Sequence, residues 1–368
     1  MSNARQLAAN LPREGGLSNR NLIINGAMQV AQRGTSFSNV FLIGYGLDRM
    51  RHGIILAGTH TISQSTDAPE GFSNSWKMEC TTASASLLAG GVFTIGQVIE
   101  GQNLQHLSYG TANAKTLTLS FWVKGSKTGT HITELYNSNS TRSISATYTI
   151  NSANTWEYKT ITFSGDTTGT FNNDNGASLY VNLWLAASST YSSGTLNTSW
   201  ASSNNPDRAV GSPNYADTVG NTFQFTGLQL EVGDSSTPFE HRSYSDQLQA
   251  CQRYFQRITG AHKSGGSVGD RGVFMGHCWS TNSMYWVHHF TTPMRSGPSV
   301  SQSNSGSSLG TWYSGGSTAA PLSALNIQSG NEMRAEMYCT LSSTLPAGNG
   351  SWFRLGGDSY WVDFDAEL

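Results

Sequence analysis

Apolar and polar positions alternate along much of this chain with a period of two, the mark of strands that turn one face to a core and the other to solvent. In residues 179–185 the three leucines and Val181 share one face, and Tyr180, Asn182 and Trp184 share the other. In residues 119–124, Leu119, Phe121 and Val123 point one way while Ser120, Trp122 and Lys124 point the other. The run 222–232 changes parity, because Phe223 and Phe225 oppose Leu228, Leu230 and Val232 unless a bulge at Thr226-Gly227 inserts a residue. Runs of this kind predict strands at 59–65, 75–80, 92–100, 116–124, 132–136, 143–150, 156–163, 178–186 and 222–232. Gly, Asn, Ser and Thr turns separate them, which favours a sandwich over alternating βαβ units. Ahead of them, Leu22-Ile23-Ile24, the turn pair Asn25-Gly26 and residues 28–33 read as a hairpin.

One helix is predicted, over 244–258, with Ser243 as its N-cap and Asp246 three residues on. Leu248, Cys251, Phe255 and Ile258 follow at steps of three, four and three. That spacing serves a trimer axis as well as it serves packing on the helix's own domain. Past Gly260 a second set of strands is expected, ending in a terminal strand with Val362, Phe364, Ala366 and Leu368 on one face and Asp363, Asp365 and Glu367 on the other. The expected fold is therefore all-β. An N-terminal arm (1–20) leads into a β-jelly-roll sandwich (21–242), a short connecting helix (243–259) and a C-terminal β-sandwich (260–368).

With 368 residues, two domains are the natural expectation. Charged residues make up only 12% while aromatics reach 11%, the reverse of a disordered chain, so the sequence should fold. A net charge of -2 gives no basic field for a phosphate backbone, and nucleic acid is not an expected ligand. The first residues lack the apolar core of a signal peptide and no later stretch suits a bilayer, so a protein made in a cytoplasm and not membrane-inserted is expected. Cys80, Cys251, Cys278 and Cys339 are widely spaced without a CxxC pair, and are expected as free thiols, with a bridge from Cys278 to Cys339 as the alternative.

Several segments together resemble phage tail-fibre and related virion proteins. They are Asn21-Leu22-Ile23-Ile24-Asn25-Gly26, residues 32–36 (Gln-Arg-Gly-Thr-Ser) and 44–49 (Gly-Tyr-Gly-Leu-Asp-Arg), and the junction formed by 229–233 with 237–243. Cys251-Gln252-Arg253-Tyr254-Phe255 completes the series. The chain departs from the family pattern at Met50, where Trp is common, and at Ala31, where an aromatic is usual. The middle domain is similar to carbohydrate-binding jelly rolls, and residues 292–298 are similar to a segment of distal fibre domains. The resemblance implies a homotrimeric virion protein that attaches to host surface glycans or proteins. On that reading residues 1–20 dock on another virion protein through Arg5, Leu7, Leu11 and Arg13, and the C-terminal domain faces the host. A decoration or adaptor protein without receptor binding, or a glycan-degrading spike, are the alternatives.

Candidate chemistry is sparse, and no catalytic residue, cofactor or metal is expected. Gly265-Gly266-Ser267-Val268-Gly269 matches a serine-hydrolase motif but sits in a Ser/Gly loop without the strand and helix that strain the serine. The acidic row of the terminal strand is explained by solvation or ion pairing. His288 and His289 are neighbours on a strand and leave opposite faces, which prevents them sharing an ion. Residues 172–176 have the oxygen-rich look of a calcium loop, but Phe171 holds the first-ligand position and a turn explains them. Aromatics that share a face with polar side chains are more informative, because sugar rings stack on Trp and Tyr while amides and acids bind hydroxyls. Trp122, Tyr180, Asn182 and Trp184 are the glycan-binding candidates, with sheet or subunit packing as the competing explanation. Trp279, Trp286, Trp312 and Tyr313 are the distal receptor-binding candidates.

Overall fold

The strand-forming runs build two units. In the computed structural model residues 19–260, 272–303, 309–314, 318–355 and 360–368 are described, and the chain divides into 1–247 with Leu368, and 248–367. The docking arm with Arg5, Leu7, Leu11 and Arg13, and the serine motif at 265–269, lie outside the described residues.

The first unit is a sandwich. Its six-stranded sheet runs in the order Ser36–Val40, Thr59–Ser65, Ser75–Thr82, Thr222–Val232, Leu117–Gly125, Glu157–Phe163. The seven-stranded sheet runs Ala201–Ser202, Arg142–Ile150, Gly129–Asn137, Ala177–Ala187, Val92–Glu100, Arg51–Ile55, Gly44–Tyr45. Leu119, Phe121 and Val123 of one sheet and Leu179, Val181 and Leu183 of the other are fully buried in one shared core. The parity change in Thr222–Val232 is resolved as expected: the register with Leu117–Gly125 shifts between Thr226 and Gln229, and Gly227 takes a positive φ of 63°.

The segments of that resemblance that lie in this unit are tied to the sandwich by side-chain hydrogen bonds. Residues 21–33 form no hairpin, which corrects the expectation from Asn25-Gly26. The Asn25 side chain donates to the carbonyls of Val30 (2.9 Å) and Asp48 (3.0 Å) and accepts from the Val30 amide. These bonds replace a ladder. Gly26 is required because a Cβ there would collide with the Leu228 carbonyl. Asp48 accepts from the Gln32 amide (2.6 Å), Arg49 donates to the Val98 carbonyl (2.6 Å), and Glu240 accepts from the Asn21 amide (2.8 Å) and from Arg242 (3.1 Å). Burial would raise the Glu240 carboxyl, but the Asn21 amide and Arg242 outweigh it and hold it below the usual range.

The helix covers Tyr244–Gln252 and is capped as predicted, the Asp246 amide donating to Ser243 Oγ at 3.2 Å. It stops short of Ile258. Phe255–Thr259 is a strand, paired antiparallel with Trp361–Asp365, so Leu248 and Cys251 belong to the helix while Phe255 and Ile258 belong to a sheet, and the expected seam does not form. Two causes favour the strand: the terminal strand offers an unpaired edge, and Arg257 binds Asp363 through both carboxylate oxygens at 2.7 Å.

In the second unit, Gly272–Ser280, Ser283–His289, Arg334–Leu341, Thr318–Gly330, Gly310–Ser314 and Gly350–Leu355 close into a six-stranded barrel beside a three-stranded sheet of Phe255–Thr259, Trp361–Asp365 and Ser299–Gln302. The all-β expectation holds for both units; the second closes on itself where a two-sheet sandwich was expected. The four cysteines are free and buried. Among the described residues no helix is long and apolar enough to cross a membrane.

Candidate functional site

The aromatic candidates separate once the sheets are known. Trp122 lies on the outer face of the six-stranded sheet, opposite Tyr158 in the ladder with ring centroids 5.4 Å apart. Tyr180, Asn182 and Trp184 lie on the outer face of the seven-stranded sheet. The four residues therefore form two surfaces, with the core between them. Trp184 is no surface residue at all. It is 1% exposed and packs with Ile132 and Ala209 beneath the loop that follows its strand, with the Arg208 guanidinium 5.3 Å from its ring.

What remains open on the seven-stranded face is a set of half-buried polar and aromatic side chains. Tyr180 is paired across the ladder with Tyr136, centroids 5.7 Å apart. Arg208 lies over Tyr136 at 5.0 Å and binds both oxygens of Glu134 (2.6 and 2.9 Å). Burial lowers the affinity of Arg208 for its proton, yet the Glu134 carboxylate outweighs this and raises it. Asn182 Nδ2 also donates to Glu134 at 3.0 Å. On the other side Arg51 lies over the Tyr180 ring at 5.7 Å.

Strand register puts several of these groups in one row. Ser145 pairs with Glu134, Glu134 with Asn182, Asn182 with Gly96, Gly96 with Arg51 and Arg51 with Tyr45. Ser145 and Glu134 are buried, so the row offers the Asn182 amide and the Arg51 guanidinium, bordered by two tyrosine rings, a set that suits a polyhydroxylated ring with apolar faces. Tyr180 and Asn182 were found by strand parity. Tyr136 was missed although residues 132, 134 and 136 alternate in the same way. Arg51, Glu134 and Arg208 were missed because their association depends on register and on a loop 74 residues away from its partner.

The distal candidates divide in the same manner. Trp286 and Trp312 are 4% and 0% exposed and belong to the barrel core, where their rings are 5.1 Å apart and Trp312 donates to Cys339. They are not surface groups, and the reason is parity, which places them inside. Tyr313 is half-buried and stacks on Trp352 at 4.8 Å. Trp279 is 73% exposed and meets Tyr285, which stacks on Tyr338.

The remaining candidates are accounted for by packing. Asp363 is locked by Arg257. His288 stacks on Phe364 at 4.8 Å, and burial pushes it down to about 4. Asp174 accepts the Gly176 amide in an Asx turn. Among the described residues no cluster of His, Cys, Asp or Glu could hold a metal ion. A shallow groove lined by Phe41, Leu42, Ile43, Ile55 and Leu56 is apolar and lacks the amides and acids that orient a sugar.

No protein-family model matches the sequence, and no curated protein does. Among solved structures, the enzymatically active domain of bacteriophage CBA120 tailspike protein 4 is similar over 60% of this chain and 24% of its own, at 13% identity and a TM-score of 0.31. A family 4 carbohydrate-binding module is similar over 57% of this chain and 98% of its own (11% identity, TM-score 0.29). A sugar-binding protein of Bacteroides thetaiotaomicron, so described, is similar over 58% of this chain and all of its own (13% identity, TM-score 0.32).

Proposed function

We propose that this chain is a non-catalytic saccharide-binding protein, and that the outer face of its seven-stranded sheet is the binding surface. The observation that carries this reading is the arrangement there: two tyrosine rings, the Asn182 amide and the Arg51 guanidinium on one rigid sheet, with Glu134 and Arg208 fixing the floor. A binding role is favoured over hydrolysis because the carboxylates noted above are held by arginines, Glu134 by Arg208 and Asp363 by Arg257, whereas glycoside cleavage uses a free pair flanking the scissile bond.

The resemblance in residues 21–258 extends the proposal to a phage virion appendage that attaches to a host surface glycan, docked through residues 1–20 and located in the virion. A homotrimer rests on that resemblance alone, since the helix provides no seam; mass measurement on the purified chain tests it. The functional test is binding of the full chain to host surface polysaccharide, with reducing ends assayed in the same samples. Saturable binding without release of oligosaccharide is expected. Absence of binding, or release of oligosaccharides, would overturn the proposal.

A further inference from the structure

We infer that the saccharide bound on this face is acidic, with a ring carboxylate received by Arg51. The inference rests on the saccharide reading above and specifies its ligand. Several cations elsewhere on the sandwich are matched by acids: Lys124 by Asp67, Lys127 by Asp217, Arg142 by Asp166, Arg208 by Glu134. Arg51 differs. It is half-buried, its guanidinium lies over Tyr180, and among the described residues its side chain has no hydrogen bond or ion pair. Its charge is felt locally, since it helps burial to push the neighbouring His52 down to about 4.

The position of that charge in the row gives it a use. Between Asn182 and Arg51 stands Gly96, where a side chain has no room because a Cβ would collide with the Val181 carbonyl. Gly96 is itself buried, and the Arg51 side chain reaches across this strand towards Tyr180, its guanidinium 5.7 Å from the ring. A sugar ring can lie over Asn182 and Tyr180, within reach of that guanidinium. Asn182 has given its Nδ2 to Glu134, which leaves Oδ1 to accept a hydroxyl. Arg51 presents a planar fork of N–H donors, and its natural partner is a carboxylate bound through two oxygens. Glu134 cannot repel that carboxylate strongly, being neutralised by Arg208. A neutral ring would leave Arg51 partly desolvated and unpaired, so the charge acts as a selector as well as an anchor.

The test uses the full chain and a panel of uronate-containing polysaccharides, each compared with its carboxyl-reduced, neutral form. The wild-type chain should bind the acidic form of its preferred polysaccharide about tenfold more tightly than the reduced form, and the difference should shrink at high salt. Arg51→Gln should bind both forms equally, with its thermal unfolding unchanged. Tyr180→Ala should weaken both. Equal wild-type binding to the two forms, or an acid preference that survives Arg51→Gln, would overturn the inference and leave the saccharide reading intact. Binding to no member of either set would overturn both together.

Discussion

On the six-stranded sheet Trp122 faces Tyr158 across the ladder, and Lys124, two residues along the same strand, is bound to Asp67 at 2.7 Å. Asp67 also accepts from the Trp156 indole and from Gln224. On the seven-stranded sheet Tyr180 faces Tyr136, Glu134 is bound to Arg208 at 2.6 Å, and among the described residues Arg51 is bound to no acid. Both faces carry an aromatic pair among polar neighbours. They differ in which charges are already satisfied. On the first face the cation is matched within the sheet's own surroundings. On the second the acid is fully buried and matched while a cation is left open. An aromatic pair occurs on both outer faces; the unmatched group beside it is what singles out the second face in the proposal.

The largest effect should come from the buried one of the two ion pairs. Arg208→Ala leaves Glu134, which is 0% exposed, as an unpaired buried carboxylate, and should destabilise the sandwich by about 3 to 5 kcal/mol. Lys124→Ala removes a half-exposed pair and should cost less than about 1 kcal/mol. Chemical denaturation of each variant measures both; equal losses would erase the contrast between the faces.

Acid should act on the sandwich through its buried histidines. Burial pushes His131, inside the core beside Tyr215, down to about 4, and His52 likewise. In the unfolded chain each titrates near 6.5. The unfolded state therefore binds more protons between those values, and the stabilisation present above about 6.5 is lost as pH falls towards about 4. Each histidine accounts for at most about 3 kcal/mol. A pH series of unfolding midpoints should slope downward over that window, and His131→Gln should flatten it.

Smaller effects separate the surfaces. Tyr180→Ala should weaken saccharide binding about tenfold, or about 1.4 kcal/mol, while Trp122→Ala leaves it unchanged; titration calorimetry distinguishes them. Trp279→Ala, on the barrel surface, should shift stability by less than about 0.5 kcal/mol.

Much of the fold was legible. Strands at 59–65, 92–100 and 222–232 fall where alternation put them, and the bulge at Thr226-Gly227 follows from a change of parity alone. The errors have local causes. Asn25-Gly26 has the composition of a hairpin turn, but the Asn25 side chain takes over the bonds a ladder would make. Phe255 to Thr259 suits a helix stripe and a strand equally, and the unpaired edge of Trp361–Asp365, about a hundred residues later, decides between them. For the site, parity identified Tyr180 and Asn182, whereas it could not show that Trp122 faces away from them or that Trp184 lies under a loop. Trp286 and Trp312 have the same composition-level appearance as Trp279, and only barrel closure places two inside and one outside. Charge matching between distant segments leaves no trace in alternation, so Arg51, Glu134 and Arg208 emerged only with the register.

The central claim is that the seven-stranded face, and not its counterpart across the core, receives the ligand. A crystal structure of the full chain with a bound acidic oligosaccharide tests it most directly. The expected result is a sugar ring over Tyr180 and Asn182, with its carboxylate on the Arg51 guanidinium. A sugar seated on Trp122 and Tyr158, or on the barrel at Trp279, with Tyr180 and Arg51 uncovered, would contradict it.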